Sequence, residues 1–203
     1  MPRKTSELTN SARVFVFGAL LLGAIIGLVA STVLSYEAIV IARDSEKVLS
    51  CDLSAVVSCG TVARHWSSHI VGDIPNSFVG MVAFPVFITI AVAGLARTKF
   101  PRWFMRSAEA GAWISLLFAG WMFYMSYHAI GALCPWCLTT DVGVLIVLFA
   151  LLHYGALTGD VLISPLASKL KSASEQGYDL AAFIGFAVLI AVLILVKFGA
   201  NLF

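Results

Sequence analysis

Four cysteines are the reactive side chains of this 203-residue sequence. Cys134 and Cys137 form a C-x-x-C pair at the start of a hydrophobic segment, while Cys51 and Cys59 lie upstream in the longest polar stretch. A cysteine near a helix start faces free backbone N–H groups, which stabilise the thiolate that attacks in disulfide exchange. Two intervening residues let the sulfurs open or close a bridge with little backbone movement. The spacing therefore predicts two dithiol pairs that exchange electrons.

Two other interpretations of the cysteines remain open at this point. Both pairs could be structural disulfides, and a Cys51–Cys59 bridge would then be a staple that closes a small ring in the loop. Alternatively, all four thiolates could bind a structural zinc ion, although the seven residues between Cys51 and Cys59 exceed the usual short spacing. The redox interpretation requires a mobile loop pair that reaches both an external partner and Cys134. We favour that interpretation and predict no metal site.

The composition places the chain among membrane proteins. Hydrophobic residues make up 60% of the sequence and charged residues 12%, whereas a soluble domain carries about 25% charged residues. The net charge of +2 is too small to indicate a nucleic-acid partner. The expected surroundings are therefore membrane lipid.

Five transmembrane helices are predicted to position the cysteines, in a single all-α domain over residues 1–203. The first apolar run, of about 22 residues, is too long for the core of a signal peptide and is long enough to cross ~30 Å of hydrocarbon. Residues 36–76 form a cysteine-bearing loop in this prediction, and residues 61–71 form an amphipathic lid within it. The predicted helices cover residues 14–35, 77–96, 108–127, 134–157 and 180–198.

Basic residues predict the orientation of these helices. With five spans, the N-terminal side carries nine of the 13 Lys and Arg residues, and the side with the cysteines carries four. Lys and Arg favour the cytoplasmic side. All four cysteines would then face the extracytoplasmic side, where disulfides persist. The nine residues are Arg3, Lys4, Arg13, Arg97, Lys99, Arg102, Arg106, Lys169 and Lys171, and the four are Arg43, Lys47, Arg64 and Lys197.

Four short motifs carry a resemblance to the vitamin K epoxide reductase family. They are Cys51-Asp52, Ser58-Cys59, Pro75-Asn76-Ser77 and the run from Cys134 to Thr140, and the resemblance extends over residues 14–157. The chain is similar to the bacterial branch, which has five membrane helices and no fused thioredoxin domain. The resemblance implies a four-helix bundle around a quinone (menaquinone or ubiquinone) in the bacterial inner membrane. It also implies a disulfide-generating oxidoreductase that oxidises a DsbA-like thioredoxin-fold partner.

The resemblance also implies a role for each matching residue. Cys51 would exchange with the dithiol of the partner, and Cys59 would relay electrons to Cys134 through a transient disulfide. Cys137 would pass the electrons to the quinone, and Asn76 would hydrogen-bond a quinone carbonyl. From the residues alone, an asparagine after a proline is more simply a turn residue or a helix N-cap.

Asp141 departs from the vertebrate branch of the family, which has a quinone-contacting tyrosine at this position. This difference weakens the case for carrying over that contact, and with it activity on vitamin K epoxide. Cys134, Cys137 and Asp141 recur at helical spacing and share one face of the predicted helix. A carboxyl within a membrane helix indicates function, and we expect Asp141 to deliver protons to the quinone or to orient a carbonyl. The alternative is a local hydrogen bond, for example to Thr139. Two alternative functions remain: reduction of vitamin K epoxide itself, and a non-enzymatic membrane protein with structural disulfides.

Overall fold

Helices are the regular elements of this protein. A computed structural model describes residues 8–70, 72, 74–159 and 178–202, and no strand occurs within those ranges. A short 3-10 turn, Trp66–Ser68, follows α2, and a π-helical turn, Met125–Ile130, continues α4. The helices are α1 Asn10–Arg43, α2 Cys59–Arg64, α3 Ser77–Leu95, α4 Arg102–Tyr124, α5 Pro135–Thr158 and α6 Tyr178–Leu202. The prediction of an all-α membrane protein is confirmed.

Four of these helices are long and apolar enough to cross a membrane, namely α1, α3, α5 and α6. The predicted third span corresponds to α4, which has 23 residues but does not reach the same apolar character. The cause is visible in its sequence, because Glu109 and two arginines accompany its tryptophans and serines. The count of five spans therefore stays a prediction. Arg3, Lys4, Lys169 and Lys171, which contributed to the predicted orientation, lie outside the described residues.

The core lies among α1, α3, α4 and α5. Helix α1 packs along both α3 and α5, α5 also packs against α4, and α6 contacts α5. The core side chains are large and apolar, and burying each contributes roughly 1.5–3 kcal/mol. They include Phe17, Leu20, Phe84, Phe87, Ile90, Met105, Val144, Val147 and Leu151.

Helix α1 is longer than predicted and continues from residue 35 to Arg43. Residues 36–43 contain no glycine or proline, and Val40 and Ile41 pack against the buried cysteines. The helix ends at Asp44, whose backbone N–H donates to the Val40 carbonyl at 3.0 Å. This extension carries Glu37, which the sequence analysis placed in a polar loop, into a buried position.

The segment predicted to form an amphipathic lid is divided into two short helical pieces. Helix α2 ends at Arg64, and His65 takes an extended backbone conformation before the 3-10 turn. The hydroxyl of Ser68 donates to the Val62 carbonyl at 2.7 Å, which stabilises this break. Val62 and Trp66 are four residues apart, a spacing that would place them on one face of a continuous helix. Val62 is instead 1% exposed and Trp66 65% exposed, so the two do not share a buried face.

Candidate active site

Cys51 and Cys59 form a disulfide in the segment between α1 and α3. Their Cα atoms are 5.7 Å apart, and both residues are buried. Cys59 is the first residue of α2, whose N-cap is Ser58. The Ser58 hydroxyl accepts a hydrogen bond from the Thr61 backbone N–H at 3.0 Å. The helix cap thus fixes the backbone on which Cys59 stands.

Asp52 holds the ring between the two cysteines in shape. Its carboxylate accepts the Leu49 N–H at 2.9 Å, the Gly60 N–H at 2.8 Å and the Ser58 hydroxyl at 2.7 Å. Burial alone would raise the pKa of Asp52. The three hydrogen bonds and the nearby Arg64 guanidinium outweigh burial and hold that pKa below its ordinary value of 3.8. The carboxylate is therefore ionised at neutral pH and is part of the scaffold of the site.

A parallel bridge joins the loop to the chain that precedes Cys134. The Ser58 N–H donates to the Leu133 carbonyl at 2.9 Å, and the Leu133 N–H donates to the Val56 carbonyl at 2.8 Å. Ser58 immediately precedes Cys59, and Leu133 immediately precedes Cys134. Two backbone hydrogen bonds therefore hold the two cysteine-bearing segments side by side. The loop pair is fixed to the body of the protein, whereas the sequence analysis expected a mobile segment.

Gly131 makes this bridge possible. The π-helical turn ends there, and Gly131 has a φ of 72°, in the left-handed region. Glycine adopts that conformation without the steric cost that a Cβ atom would bring. The chain consequently leaves α4 and runs back past the loop as Ala132 and Leu133 before α5 begins.

The C-x-x-C pair lies at the N-terminus of α5, as the sequence indicated. Cys134 is the N-cap residue, and its Sγ accepts the Cys137 backbone N–H at 3.1 Å. Both cysteines are free thiols, with Cys134 buried and Cys137 partly buried. The N–H group and the positive end of the helix dipole favour negative charge on the Cys134 sulfur.

The four cysteines belong to a single buried cluster. Cys51, Cys59 and Cys134 are core members of it, together with Leu49, Val62 and Ala132, and Cys137 packs against them. The sequence separates the two pairs by a whole helical hairpin, so this proximity is a product of the fold. A structure in which one pair is a disulfide and the neighbouring pair is reduced contains the groups needed for thiol–disulfide exchange.

A small cavity lies beside the C-x-x-C pair, with a volume of about 10 Å³. Its walls are mostly apolar, and Ser126 and Asp141 supply the polar groups. That volume holds about one water molecule, so a ring-shaped ligand enters only if side chains turn aside. The structure brings Asp141 to the same cavity as Cys134 and Cys137. The lining is Met122, Phe123, Ser126, Leu133, Cys134, Cys137, Leu138 and Asp141.

The sequence analysis left open a local role for Asp141, in which a neighbouring threonine donates a hydrogen bond to its carboxyl. The Thr139 hydroxyl donates to the Pro135 carbonyl at 2.9 Å, and the Thr140 hydroxyl donates to the Trp136 carbonyl at 3.0 Å. Each hydroxyl hydrogen is therefore already committed to the helix backbone. Neither neighbouring threonine donates to Asp141 in this arrangement.

Asn76 organises the segment that follows α2. Its Oδ1 accepts the Ile70 N–H at 3.1 Å, and its Nδ2 donates to the Ser67 carbonyl at 2.7 Å. Nδ2 also lies 3.8 Å from the Met122 sulfur, a weak acceptor. The Met122 side chain lines the cavity beside Cys137 and therefore lies between that cavity and Asn76. Asn76 makes no side-chain cap on α3, although it precedes that helix.

Glu37 is a residue of the site that sequence reasoning missed. It lies on the extension of α1, is 5% exposed, and has carboxyl oxygens 3.2 and 3.4 Å from the Cys51 sulfur. Its carboxyl oxygen and the sulfurs of Cys51 and Cys59 lie within 4.8 Å of one another. The sequence does show an acidic residue directly after a long apolar run. Ionisable residues within or next to membrane helices are commonly functional, so Glu37 could have been proposed on that ground.

Comparison with known protein families gave one match. The model described as the vitamin K epoxide reductase family matches residues 19–152, which is more than half of the chain. The matched range contains all four cysteines, Asn76 and Asp141. A search of curated proteins found no match.

Proposed function

Because this chain belongs to the vitamin K epoxide reductase family, a family of membrane oxidoreductases, we propose that it generates disulfide bonds. In this proposal it takes electrons from the dithiol of a DsbA-like thioredoxin-fold partner and passes them to a membrane quinone, either menaquinone or ubiquinone. The observation that carries the proposal is the backbone bridge between Val56–Ser58 and Leu133. It holds an oxidised cysteine pair beside a reduced one within a buried cluster.

The first half of the reaction takes place at the loop pair. A thiolate of the partner attacks the Cys51 sulfur, the Cys51–Cys59 bond breaks, and Cys59 leaves as a thiolate. The second thiol of the partner then attacks the sulfur joined to Cys51. The partner leaves with a disulfide, and Cys51 and Cys59 become thiols that hold two electrons and two protons.

The second half uses the alignment of Cys59 with Cys134. With Cys134 and Cys137 oxidised, Cys59 attacks the Cys134 sulfur, and Cys137 leaves. Cys51 then attacks the Cys59 sulfur, which restores the loop disulfide and releases Cys134. The state reached has a Cys51–Cys59 disulfide and free thiols at Cys134 and Cys137, which is the arrangement of this structure.

The cavity beside Cys137 is the proposed place of electron transfer out of the protein. A bound quinone supplies the acceptor for two electrons and two protons. The lining fits such a ligand in chemistry, with apolar walls and few polar groups, and entry of a ring requires lining side chains such as Met122 or Phe123 to turn aside. Movement of Met122 would also free the second Nδ2 hydrogen of Asn76 for a quinone carbonyl. Asp141 is the proposed proton carrier there.

Charge placement supports the location of the protein in a bacterial inner membrane, with its N-terminus in the cytoplasm and the cysteines on the extracytoplasmic face. In the five-span arrangement the sequence has nine Lys and Arg residues on the first side and four on the side of the cysteines. In that compartment the substrates of a disulfide-generating system are secreted proteins.

Two single substitutions test the proposal. In Cys59→Ser the Cys51 thiol can attack the disulfide of an oxidised partner, so incubation with that oxidised partner should give a partner–Cys51 mixed disulfide. In Cys137→Ser, Cys134 can attack the Cys59 sulfur while Cys51 leaves, which should populate the Cys59–Cys134 disulfide. Each should appear as a new species by non-reducing electrophoresis and mass spectrometry. Both variants should lose formation of disulfides in secreted proteins. Retention of full oxidising activity by every Cys→Ser variant would refute the redox function.

A further inference from the structure

Glu37 has the surroundings of a proton-transfer group and not of a salt-bridge partner. Its carboxyl is buried, and within the described part of the chain it pairs with no lysine, arginine or histidine. The polar groups that face it are the Cys51 sulfur, the Ser50 hydroxyl and the Asp52 carboxylate, and Cys137 lies within electrostatic range. An unpaired buried carboxylate costs several kcal/mol, so a structural role alone does not account for the residue.

The contact with Cys51 depends on the redox state of the sulfur. A disulfide sulfur carries no hydrogen, so in this state a hydrogen bond to it requires a proton on Glu37. A Cys51 thiol, in contrast, can donate its hydrogen to an ionised Glu37 at 3.2 Å. One proton therefore belongs to the carboxyl when the loop is oxidised and to the sulfur when the loop is reduced.

We propose that Glu37 is a catalytic acid–base residue that moves this proton to and from Cys51. The inference rests on the proposed thiol–disulfide function. In the step that closes the loop, Glu37 takes the thiol proton as Cys51 attacks the Cys59 sulfur. The Cys51–Cys59 bond forms, the Cys59–Cys134 bond breaks, and Cys134 leaves as a thiolate facing the Cys137 N–H. In the step that releases the oxidised partner, Glu37 returns the proton to the departing Cys51 thiolate.

Position supports this assignment in two ways. Both carboxyl oxygens lie within hydrogen-bonding distance of the reacting sulfur, so either can accept the proton without a change of rotamer. The carboxyl is carried by α1, which packs closely against the helix that bears the C-x-x-C pair. The base is thus fixed relative to both cysteine pairs while the sulfurs exchange.

The test compares Glu37→Gln, Glu37→Asp and the wild type as purified full-length proteins. Dithiothreitol serves as the electron donor and a short-chain ubiquinone as the acceptor. At pH 7 a thiol without a base is ionised to about 3%, so Glu37→Gln should turn over roughly 30-fold more slowly. Its Cys59–Cys134 disulfide should accumulate, as measured after acid quenching, alkylation and peptide mapping. The defect should disappear near pH 9, because the thiol then ionises unaided.

Glu46→Gln is the matched control, since Glu46 is an exposed acid near the same loop, and it should behave like the wild type. If the wild type shows no thiol-dependent quinone reduction, the proposed function itself fails. If the wild type turns over and Glu37→Gln matches it at every pH without accumulating the interloop disulfide, only the role of Glu37 is refuted. Should Glu37→Gln not fold, Glu37→Asp decides. A partial defect that shrinks as pH rises supports the role, and a wild-type pH profile overturns it.

Discussion

Asp52 is a single side chain whose ionisation determines how far the pH can fall before the loop with Cys51 and Cys59 loses stability. Its carboxylate accepts three hydrogen bonds that join Leu49, Ser58 and Gly60 across the disulfide ring. Because the folded pKa lies below 3.8, its contribution to stability is fully present above that value. The contribution is lost as pH falls through the lower folded pKa, where protonation removes an acceptor from donors that remain in place.

We predict that Asp52→Asn loosens the loop at neutral pH by about 1–3 kcal/mol, because an amide supplies one acceptor oxygen and adds a donor facing other donors. Amide hydrogen exchange of residues 49–61, corrected for intrinsic rates, should show faster exchange at pH 6. The variant should also lack the fall in protection that we expect of the wild type as pH decreases below 3.8, because the asparagine does not titrate. The exposed Asp44 provides the control, and Asp44→Asn should leave this segment unchanged. Wild-type protection at both pH values would contradict the prediction.

Asp141 offers a second test at the level of one residue. If it carries protons in the cavity beside Cys137, Asp141→Asn and Asp141→Ala should slow quinone reduction on the order of 10²-fold. Exchange between Cys59 and Cys134 should continue, so reduced Cys134 and Cys137 should accumulate during turnover, as measured by thiol alkylation. Quinone reduction at the wild-type rate by both purified variants would exclude this role.

The individual residues divide into those that spacing can reveal and those that it cannot. The C-x-x-C pair reveals itself because its two cysteines are neighbours on a helix start, and Asp141 follows on the same face by helical periodicity. Glu37 is 14 residues from Cys51 in sequence, with no local pattern that joins them. Its importance depends on α1 continuing past the apolar run, which a membrane-span prediction ends early.

At the scale of elements, the bridge between the loop and Leu133 determines whether the two cysteine pairs meet. Residues 57 and 133 are separated by two long helices, and a pair of backbone hydrogen bonds leaves no signature in side-chain types. The π-helical turn that directs the chain to Leu133 also has no recognisable sequence pattern, apart from Gly131 at its end. The helices were therefore predictable from composition, while the fixed loop was not.

Helices α1 and α5 pack closely at glycines. Because α1 carries Glu37 and α5 carries the C-x-x-C pair, this packing determines how far apart the two lie. A Cβ atom on Gly143 would lie 2.8 Å from the Gly23 carbonyl oxygen and 2.8 Å from the Gly27 backbone nitrogen. Backbone atoms cannot turn aside as a flexible side chain can. Close helix packing in membranes commonly uses small residues in this way.

We predict that Gly143→Leu separates α1 from α5, lowers stability by about 1–3 kcal/mol or more, and reduces activity by displacing Glu37 from Cys51. Thermal unfolding in detergent and the quinone assay measure the two effects. Gly120→Leu is the matched control, because Gly120 is exposed and a Cβ atom there meets nothing within 4 Å. Equal unfolding temperatures for Gly143→Leu and the wild type would show that the contact is not limiting.

For the molecule as a whole, whether α4 crosses the membrane determines on which side of the membrane the C-x-x-C pair lies. The basic residues Arg97 to Arg106 stand between α3 and the body of α4, and the C-x-x-C pair follows α4. If α4 crosses the membrane, these two features face opposite compartments. If α4 remains on one side, they face the same compartment, and the loop cysteines would lie across the membrane from the C-x-x-C pair. The bridge at Leu133 forbids that second arrangement.

We therefore predict that α4 spans the membrane despite Glu109. Alkaline phosphatase, which requires extracytoplasmic disulfides for activity, should be inactive when fused after Lys99 and active when fused after Gly131. Fusions after Arg43 and after Ala96 serve as controls for α1 and α3, and they should be active and inactive respectively. Equal activity of the Lys99 and Gly131 fusions would mean that α4 does not cross. That result would contradict the five-span arrangement and, with it, the assignment of both cysteine pairs to one compartment.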